Sequence, residues 1–347
     1  MIYKNLGNSD IKVSQLCLGT MTWGSQNTQF EANEQIEISL EYGINFLDTA
    51  EMYPTTPRSP KTQGRTEEII GNWLYSSKKR DDVILATKIT GKGFTSIRNG
   101  ESISKNNIRL ALEGSLKRLK TDYIDLYQLH WSNRGSYHLR QNWNYNPFKQ
   151  DTEKETEETY LILKELDLLV KEGKIRCIGL SNETAWGTMQ FLKIAEENNF
   201  NRIVSIQNEY SILCRLFDLD MSELSHHEKI SLLSYSPLAC GLLSGKYLNG
   251  KIPTGSRKSI YNDLGKRDTE MVNFAVQDFI TISKKHNLDP CQIALAFSLS
   301  RPFMTSVIFG ATNKKQLINC IESKNLILDN SILEDINIFY RRHPVPF

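Results

Sequence analysis

The 347-residue sequence has no stretch approaching the roughly 18 consecutive apolar residues of a membrane span. Its opening, Met1-Ile2-Tyr3-Lys4-Asn5-Leu6-Gly7, lacks the apolar run of a signal peptide. Neither sign of charge dominates: Lys+Arg 42 against Asp+Glu 40 leave a formal charge of +2, with no block of like charge long enough to mark a nucleic-acid or membrane surface. The six cysteines (Cys17, Cys177, Cys214, Cys240, Cys291, Cys320) form no Cys-x-x-Cys pair and no regular framework, so reduced thiols are expected. There is no His-x-His and no cluster of strand-end carboxylates, and therefore no metal site is expected. A Gly-x-Gly-x-x-Gly turn is missing too, since Gly91-Lys92-Gly93 has Ser96 where the third glycine would fall; this argues against an open dinucleotide-binding sheet. No internal repeat or low-complexity linker divides the chain. Together these absences predict a soluble cytoplasmic protein of one domain, residues 1–347, whose partners are small molecules and which needs no obligate protein partner.

What is present is a regular alternation. After a hairpin-like opening (Tyr3 to Leu6, then Ile11 to Val13, joined through Gly7-Asn8), short β-rich runs alternate with helical patterns. The runs are Ser14 to Thr20, Asn45 to Asp48, Val83 to Lys88, Ile124 to His130, Ile175 to Ser181, Ile203 to Gln207, Ser231 to Pro237 and Ser306 to Gly310. Helical patterns fill the gaps: Glu31 to Tyr42, Thr66 to Lys79, Ser104 to Leu119, Glu157 to Glu172, Ala185 to Asn198, Asp218 to Glu228, Leu288 to Ser300 and Lys314 to Asn325. Gly43 and Gly173 supply C-terminal stops, and Asp289-Pro290-Cys291-Gln292 reads as a helix start. Met271 to His286 and Ser331 to Arg341 add two helices. Eight strand-helix units with an N-terminal β-hairpin and two extra helices predict a (β/α)₈ TIM barrel.

Two connections are long, Trp131 to Thr156 and Leu238 to Arg267. The first carries Trp131, Tyr137, Trp143, Tyr145 and Phe148, and either walls a substrate pocket or packs on itself. Catalysis in such barrels takes place at the C-terminal ends of the strands, which draws attention to Asp48, Lys88 and His130 on successive strands, with Tyr53 five residues after Asp48. Taken singly, a strand-end Lys or Asp is most often solvated and a lone His most often structural. As a group they have a chemical logic. A phenol with a reference pKa of ~10 is a poor acid or base near neutrality unless a cation stabilises its anion. Lys88 can supply that cation, Asp48 can hold the ammonium, and His130 can orient a substrate oxygen.

At this point the chain resembles the aldo-keto reductases along almost its whole length. The matching segments are Cys17-Leu18-Gly19-Thr20-Met21, Gly43 to Tyr53, Gly64-Arg65-Thr66-Glu67, Ala86-Thr87-Lys88, Tyr123 to His130, Gly173-Lys174-Ile175-Arg176, Gly179-Leu180-Ser181-Asn182, Tyr235-Ser236-Pro237-Leu238 and Gly310-Ala311-Thr312. The spelling from Ser236 to Tyr247 is similar to the bacterial Tas-like members and the potassium-channel β subunits. The resemblance implies a catalytic tetrad of Asp48, Tyr53, Lys88 and His130. It implies NADPH or NADP⁺ as cofactor, with contacts from Thr20, Met21, Asp48, Ser181, Asn182, Gln207, Tyr235, Ser236, Pro237, Leu238, Ala239, Cys240, Gly241, Lys246, Arg257, Gly310, Ala311, Thr312, Gln316 and Asn319. Within that set Tyr235 would stack on the nicotinamide, Ser181, Asn182 and Gln207 would bind its carboxamide, and the Leu238 to Lys246 loop would cover the pyrophosphate. Gly310, Ala311, Thr312 and Gln316 would hold the adenosine ribose and its 2′-phosphate. Independently, the loop after the last strand leads into a helix N-terminus with Asn313 and Gln316 spaced as a capping pair, which makes either an anion site or simply a capped helix. The family often has Glu-Asn where this chain has Asn319-Cys320.

The implied activity is reduction of an aldehyde or ketone, with Tyr53 as the proton donor. A second reading is an NADP(H)-binding redox sensor with weak turnover, like the channel β subunits; His130 weighs against it, because those relatives have Asn at the matching place. A third is a Schiff-base aldolase using Lys88, which leaves Tyr53, Ser181, Asn182 and Gln207 without a role.

Overall fold

The computed structural model describes residues 1–262 and 264–347. The chain opens with an antiparallel hairpin of β1 (Tyr3–Asn5) and β2 (Lys12–Ser14). Among the described residues, eight parallel strands then close into a barrel: β3 (Leu16–Gly19), β4 (Phe46–Asp48), β5 (Ile84–Ile89), β6 (Ile124–Leu129), β7 (Ile175–Ser181), β8 (Ile203–Glu209), β9 (Ser231–Tyr235) and β10 (Met304–Phe309), with β10 pairing back onto β3. The surrounding helices are α1 (Gln29–Glu41), α2 (Arg65–Ser77), α3 (Lys105–Leu119), α4 (Thr152–Lys171), α5 (Ala185–Asn198), α6 (Asp220–Glu228), the single turn α7 (Arg257–Ile260), α8 (Glu270–Lys285), α9 (Pro290–Leu299), α10 (Lys314–Glu322) and α11 (Asn330–Arg342). The expected (β/α)₈ barrel, hairpin and added helices α8 and α11 are all present.

Local chemistry sets most of the boundaries. Thr28 and Glu31 form a reciprocal capping box at α1, and Asp289 accepts from the Cys291 and Gln292 amides at α9. Gly43 and Gly173 follow α1 and α4 with φ of +82° and +73°, the left-handed conformation that ends a helix. Of the boundaries that differ from expectation, two have a plain local cause. Ser14 belongs to the hairpin, so β3 starts at Leu16. Helix α4 starts at Thr152, because Asp151 accepts from the amides of Glu153 and Lys154 and starts the helix inside the stretch expected to be loop.

The barrel interior is built in layers. Cys17, Phe46, Ala86, Leu126, Cys177, Val204, Leu233 and Ile308, one from each strand, pack on Leu6, Ile11 and Val13 of the hairpin region to form a dry floor. Strand alternation then directs the residue two positions further along to the next layer up, where the polar groups lie. The neighbouring residues Leu16, Leu18, Leu47, Leu85, Tyr127, Ile178, Ile206 and Val307 point outward into the core between sheet and helices.

One irregularity re-aims a strand. Ile178 pairs with Ile203 and Gly179 with Ser205, so Val204 is an extra residue without a partner in β7. Val204 joins the floor, Ile206 faces outward, and Gln207 turns inward. The hairpin turn seats against this point: Gly7 has φ of +58°, and a Cβ there would fall 2.3 Å from the Val204 carbonyl oxygen. Its amide donates to Ser231 Oγ at 2.6 Å. Gly7→Ala combines left-handed strain with a backbone clash, so urea denaturation should show a loss of about 2–3 kcal/mol, at the upper end for point substitutions.

Candidate active site

The polar layer centres on Asp48, the last residue of β4. Its carboxylate accepts from Lys88 Nζ at 2.7 Å, from Gln207 Nε2 at 2.7 Å and from Gln128 Nε2 at 3.3 Å. Lys88 has no exposed surface and donates a second bond to the Thr49 carbonyl at 2.7 Å. An isolated ammonium at such depth would lose its proton. Here burial pushes Lys88 down, but the adjacent Asp48 carboxylate outweighs it, and the ammonium is held above its ordinary range. That state does not suit the Schiff-base aldolase reading, which needs a neutral amine at Lys88.

Tyr53 and His130 stand at the rim over this ion pair. The Lys88 ammonium lies 5.2 Å from the centroid of the Tyr53 ring, and the Tyr53 and His130 rings meet edge-on with centroids 5.9 Å apart. Burial raises the Tyr53 pKa, and the Lys88 charge offsets only part of that rise. The phenol therefore stays protonated at neutral pH. Burial, and then the Lys88 charge, hold His130 well below its ordinary value, so it is neutral. Its Nδ1 is buried without a hydrogen-bond partner. An unpartnered buried donor costs more than an unpartnered weak acceptor, and the favoured tautomer carries its proton on Nε2. The four residues singled out in the sequence thus converge on one spot. They form two neutral proton-bearing groups above one buried cation.

The cofactor candidates adjoin the same rim. Ser181 Oγ donates to the Gln207 carbonyl at 2.8 Å, Asn182 Nδ2 donates to the His130 carbonyl at 2.9 Å, and Tyr235 Oη donates to Asn182 Oδ1 at 2.7 Å. Both protons of Gln207 Nε2 are used on Asp48 and Gln128, which leaves Oε1 as its polar atom available to a ligand. Thr20 Oγ1 donates to the Asp48 carbonyl at 2.8 Å, with Met21 half-buried beside it. Ser236, Ala239, Cys240 and Gly241 all have left-handed φ (55°, 46°, 60° and 89°), and Pro237 and Leu238 complete this turn. Within the turn the Ala239 amide donates to the Ser236 carbonyl and the Gly241 amide to the Leu238 carbonyl, both at 2.9 Å. Lys246 packs across Gly241, and Arg257 donates to Cys240 Sγ at 3.3 Å while its Nε is buried without a partner.

At the end of β10, Gly310 lies against the Gly19 carbonyl, and Ala311 is buried. The capping pair at α10 is present in altered form. Asn313 Oδ1 accepts from the Gln316 amide at 3.0 Å, whereas the Gln316 side chain accepts from the Thr312 amide and hydroxyl, both at 3.0 Å. Asn319 already has protein partners for both polar atoms: Oδ1 accepts from Gln292 at 2.9 Å and Nδ2 donates to Asp289 at 3.1 Å. Cys320 is buried.

Two site residues escaped sequence reasoning. Gln128 is a polar residue two positions before His130, and its place on the same inward alternation was the available signal. Glu209 ends β8 two residues beyond the expected boundary and pairs with Arg140 and Arg267 from the two long loops.

Two outcomes follow. Asp48→Asn leaves the Lys88 ammonium buried without its counter-charge, and denaturation should show a loss of about 3–5 kcal/mol; the double variant Asp48→Asn/Lys88→Met should recover part of it. For His130 the folded pKa is depressed, so below about pH 6.5 the unfolded chain takes up a proton that the folded protein refuses. Stability should fall as pH drops from 6.5 toward 5, by up to about 1.4 kcal/mol per pH unit for each such histidine. His130→Asn should flatten that slope in a pH series of thermal melts. His138, held by burial at about 4, should account for a remaining share.

Comparison with known proteins agrees with this geometry. The profile of the Aldo/keto reductase family matches residues 15–341. Protein tas of Escherichia coli (strain K12) is 41% identical over 355 residues, covering 100% of this chain and 99% of that protein. The uncharacterized oxidoreductase YrpG of Bacillus subtilis (strain 168) is 32% identical over 344 residues, covering 97% of this chain and 95% of that protein. A probable voltage-gated potassium channel subunit beta of Oryza sativa subsp. japonica is 29% identical over 335 residues, covering 94% of this chain and 92% of that protein. By its matched span, its relatives and its closed eight-stranded barrel, the chain belongs to the aldo/keto reductase family of oxidoreductases.

Proposed function

We propose that the protein reduces aldehydes or ketones to alcohols with NADPH, and that residues 1–347 form one catalytic domain. The observation that carries this reading is the pairing of a protonated Tyr53 and a neutral His130 above the buried Lys88–Asp48 pair. A carbonyl at the rim would accept a hydrogen bond from His130 Nε2, which orients it. Tyr53 would donate its proton to the carbonyl oxygen as negative charge develops there, and Lys88 would stabilise the phenolate left behind. Asp48 holds the ammonium in place. The nicotinamide supplies the hydride.

The residues present fit such a cofactor. The Lys246 ammonium beside Gly241 and the unpartnered Arg257 Nε beside Cys240 suit a pyrophosphate or phosphate. Gln207 Oε1, Asn182 and Ser181 suit an amide, and Tyr235 offers a ring beside them. Thr20, Met21, Gly310, Ala311, Thr312 and Gln316 would border the remainder. Asn319 would contribute only through its bonds to α9, because its polar atoms are occupied. Lys246, Arg257 and the Lys314-Lys315 pair favour a cofactor carrying an extra phosphate.

The redox-sensing reading shares this site and differs only in turnover. No helix among the described residues is long and apolar enough to cross a membrane. The test uses purified protein and a panel of aldehydes, ketones and quinones. Carbonyl-dependent NADPH oxidation is expected, and Tyr53→Phe should lower kcat by about 100-fold or more while NADPH still quenches tryptophan fluorescence. Tight NADPH binding without turnover on any carbonyl would favour the sensor instead. Unchanged kcat in Tyr53→Phe would remove Tyr53 from its assigned role.

A further inference from the structure

The rim of the barrel holds a second buried charge cluster, apart from Asp48 and Lys88. Glu209, at the end of β8, has a side chain only 4% exposed. Its two carboxylate oxygens serve different loops. Oε1 accepts from Arg267 Nε at 2.9 Å and lies 2.8 Å from Arg267 Nη2. Oε2 pairs with Arg140 Nη2. Arg267 closes the long connection after β9, and its Nη1 also donates to Cys240 Sγ at 3.3 Å, inside the left-handed turn at the cofactor candidates. Arg140 belongs to the connection between β6 and α4, where it and Leu139 have left-handed φ of 66° and 56°. The Arg140 guanidinium also lies over the Phe347 ring, 4.7 Å from its centroid.

We infer that Glu209 is a positioning residue that couples the cofactor loop to the aromatic loop after β6, so that closing one around NADP(H) orders the other. The inference rests on the cofactor reading given above. A buried carboxylate shared by two guanidiniums is a cooperative unit, because each ion pair restricts the orientation that the carboxylate offers to the other. Arg267 is fixed at both ends, on Glu209 and on Cys240, so any ligand that orders the turn at Cys240 also orders Arg267. A fixed Arg267 fixes the Glu209 carboxylate, and Glu209 then offers Arg140 one defined orientation. Trp143 and Phe148, on the loop that Arg140 anchors, are 82% and 96% exposed. They give the coupling a direct readout, since chymotrypsin cleaves after exposed aromatic residues when the surrounding backbone can open. Binding energies linked in this way are reciprocal: a cofactor that orders the loop is itself held more tightly by the ordered loop.

The experiment follows chymotrypsin cleavage after Trp143 and Phe148 by mass spectrometry, with and without saturating NADPH, alongside fluorescence quenching to measure cofactor binding. In the unaltered protein NADPH should slow cleavage by about fivefold or more. Arg140→Leu leaves Glu209 and Arg267 paired, so NADPH should still bind, weakened by about the same fivefold factor, while its protection of the loop disappears. Glu209→Gln should weaken NADPH binding by about tenfold and also abolish protection. NADPH that binds the unaltered protein without protecting it, or protects Arg140→Leu equally well, overturns the coupling and leaves the cofactor reading standing. Absence of NADPH quenching in the unaltered protein would overturn both.

Discussion

One ammonium, buried without solvent contact inside a closed sheet, sets the terms for the rest of the site. Lys88 could not stay charged there alone. It does so because β4 and β5 are hydrogen-bonded neighbours, with Asp48 opposite Ala86, so the carboxylate ending one strand meets the amine two residues further along the next. The charge then acts on both neighbours. At Tyr53 it opposes burial, and burial prevails; at His130 it adds to burial. Both groups are thereby kept neutral and proton-bearing, although their intrinsic chemistries differ. A solvated lysine at the same position would be too screened to act on either.

The floor beneath makes this electrostatic arrangement possible. The apolar residues of the lower layer and the hairpin close the barrel from below, so the polar layer can be reached only from the rim. The extra residue at Val204 belongs to the same design. It shifts β8 by one position and brings the Gln207 amide onto Asp48, where a regular strand would have turned it toward the helices. With Gln128 it satisfies the carboxylate oxygen that Lys88 leaves free, which fixes Asp48 in one orientation.

The order of strands and helices was legible because each strand is a short apolar run bounded by a turn residue, and each helix keeps its own periodicity. The meeting of Asp48, Tyr53, Lys88 and His130 was legible for a related reason: strand ends are sequence features, and parallel closure brings all of them to one rim. The bulge at Val204 was not legible, since Ile203 to Gln207 reads equally well with either alternation. Helix α4 was placed too late because Asp151 looks like loop until its bonds to the next amides are seen. The Glu209 cluster joins residues separated by 58 and 69 positions, and no local pattern encodes such a meeting. Several segments that carried the family resemblance also turn out to be structural. Asp125 accepts from Arg80, Arg176 and the Leu85 amide on the outer side of the sheet, and Glu67 joins Thr87 to Arg118.

This division bears on how far the site constrains substrate. Asp48 and Lys88 lie on strands, and Tyr53 and His130 shortly after strand ends, so their arrangement follows from the same bonds that close the barrel. The walls are different. Trp131, 5.0 Å from His130 between ring centroids, is held by a hydrogen bond from its indole to the Lys92 carbonyl. Beyond it the loop carries Leu139, Trp143 and Phe148 into solvent, tied back through Arg134 to Glu183 and through Arg140 to Glu209. Those ties are charge pairs at the ends of β7 and β8, the last rigid points before the loop. Substitutions between them can reshape the wall without disturbing Asp48 or Lys88, whereas substitutions at Glu183 or Glu209 would remove the charge pairs that tie it to the barrel. The loop and the polar layer are therefore held by separate sets of bonds in this chain, and the boundary between them lies at those two carboxylates.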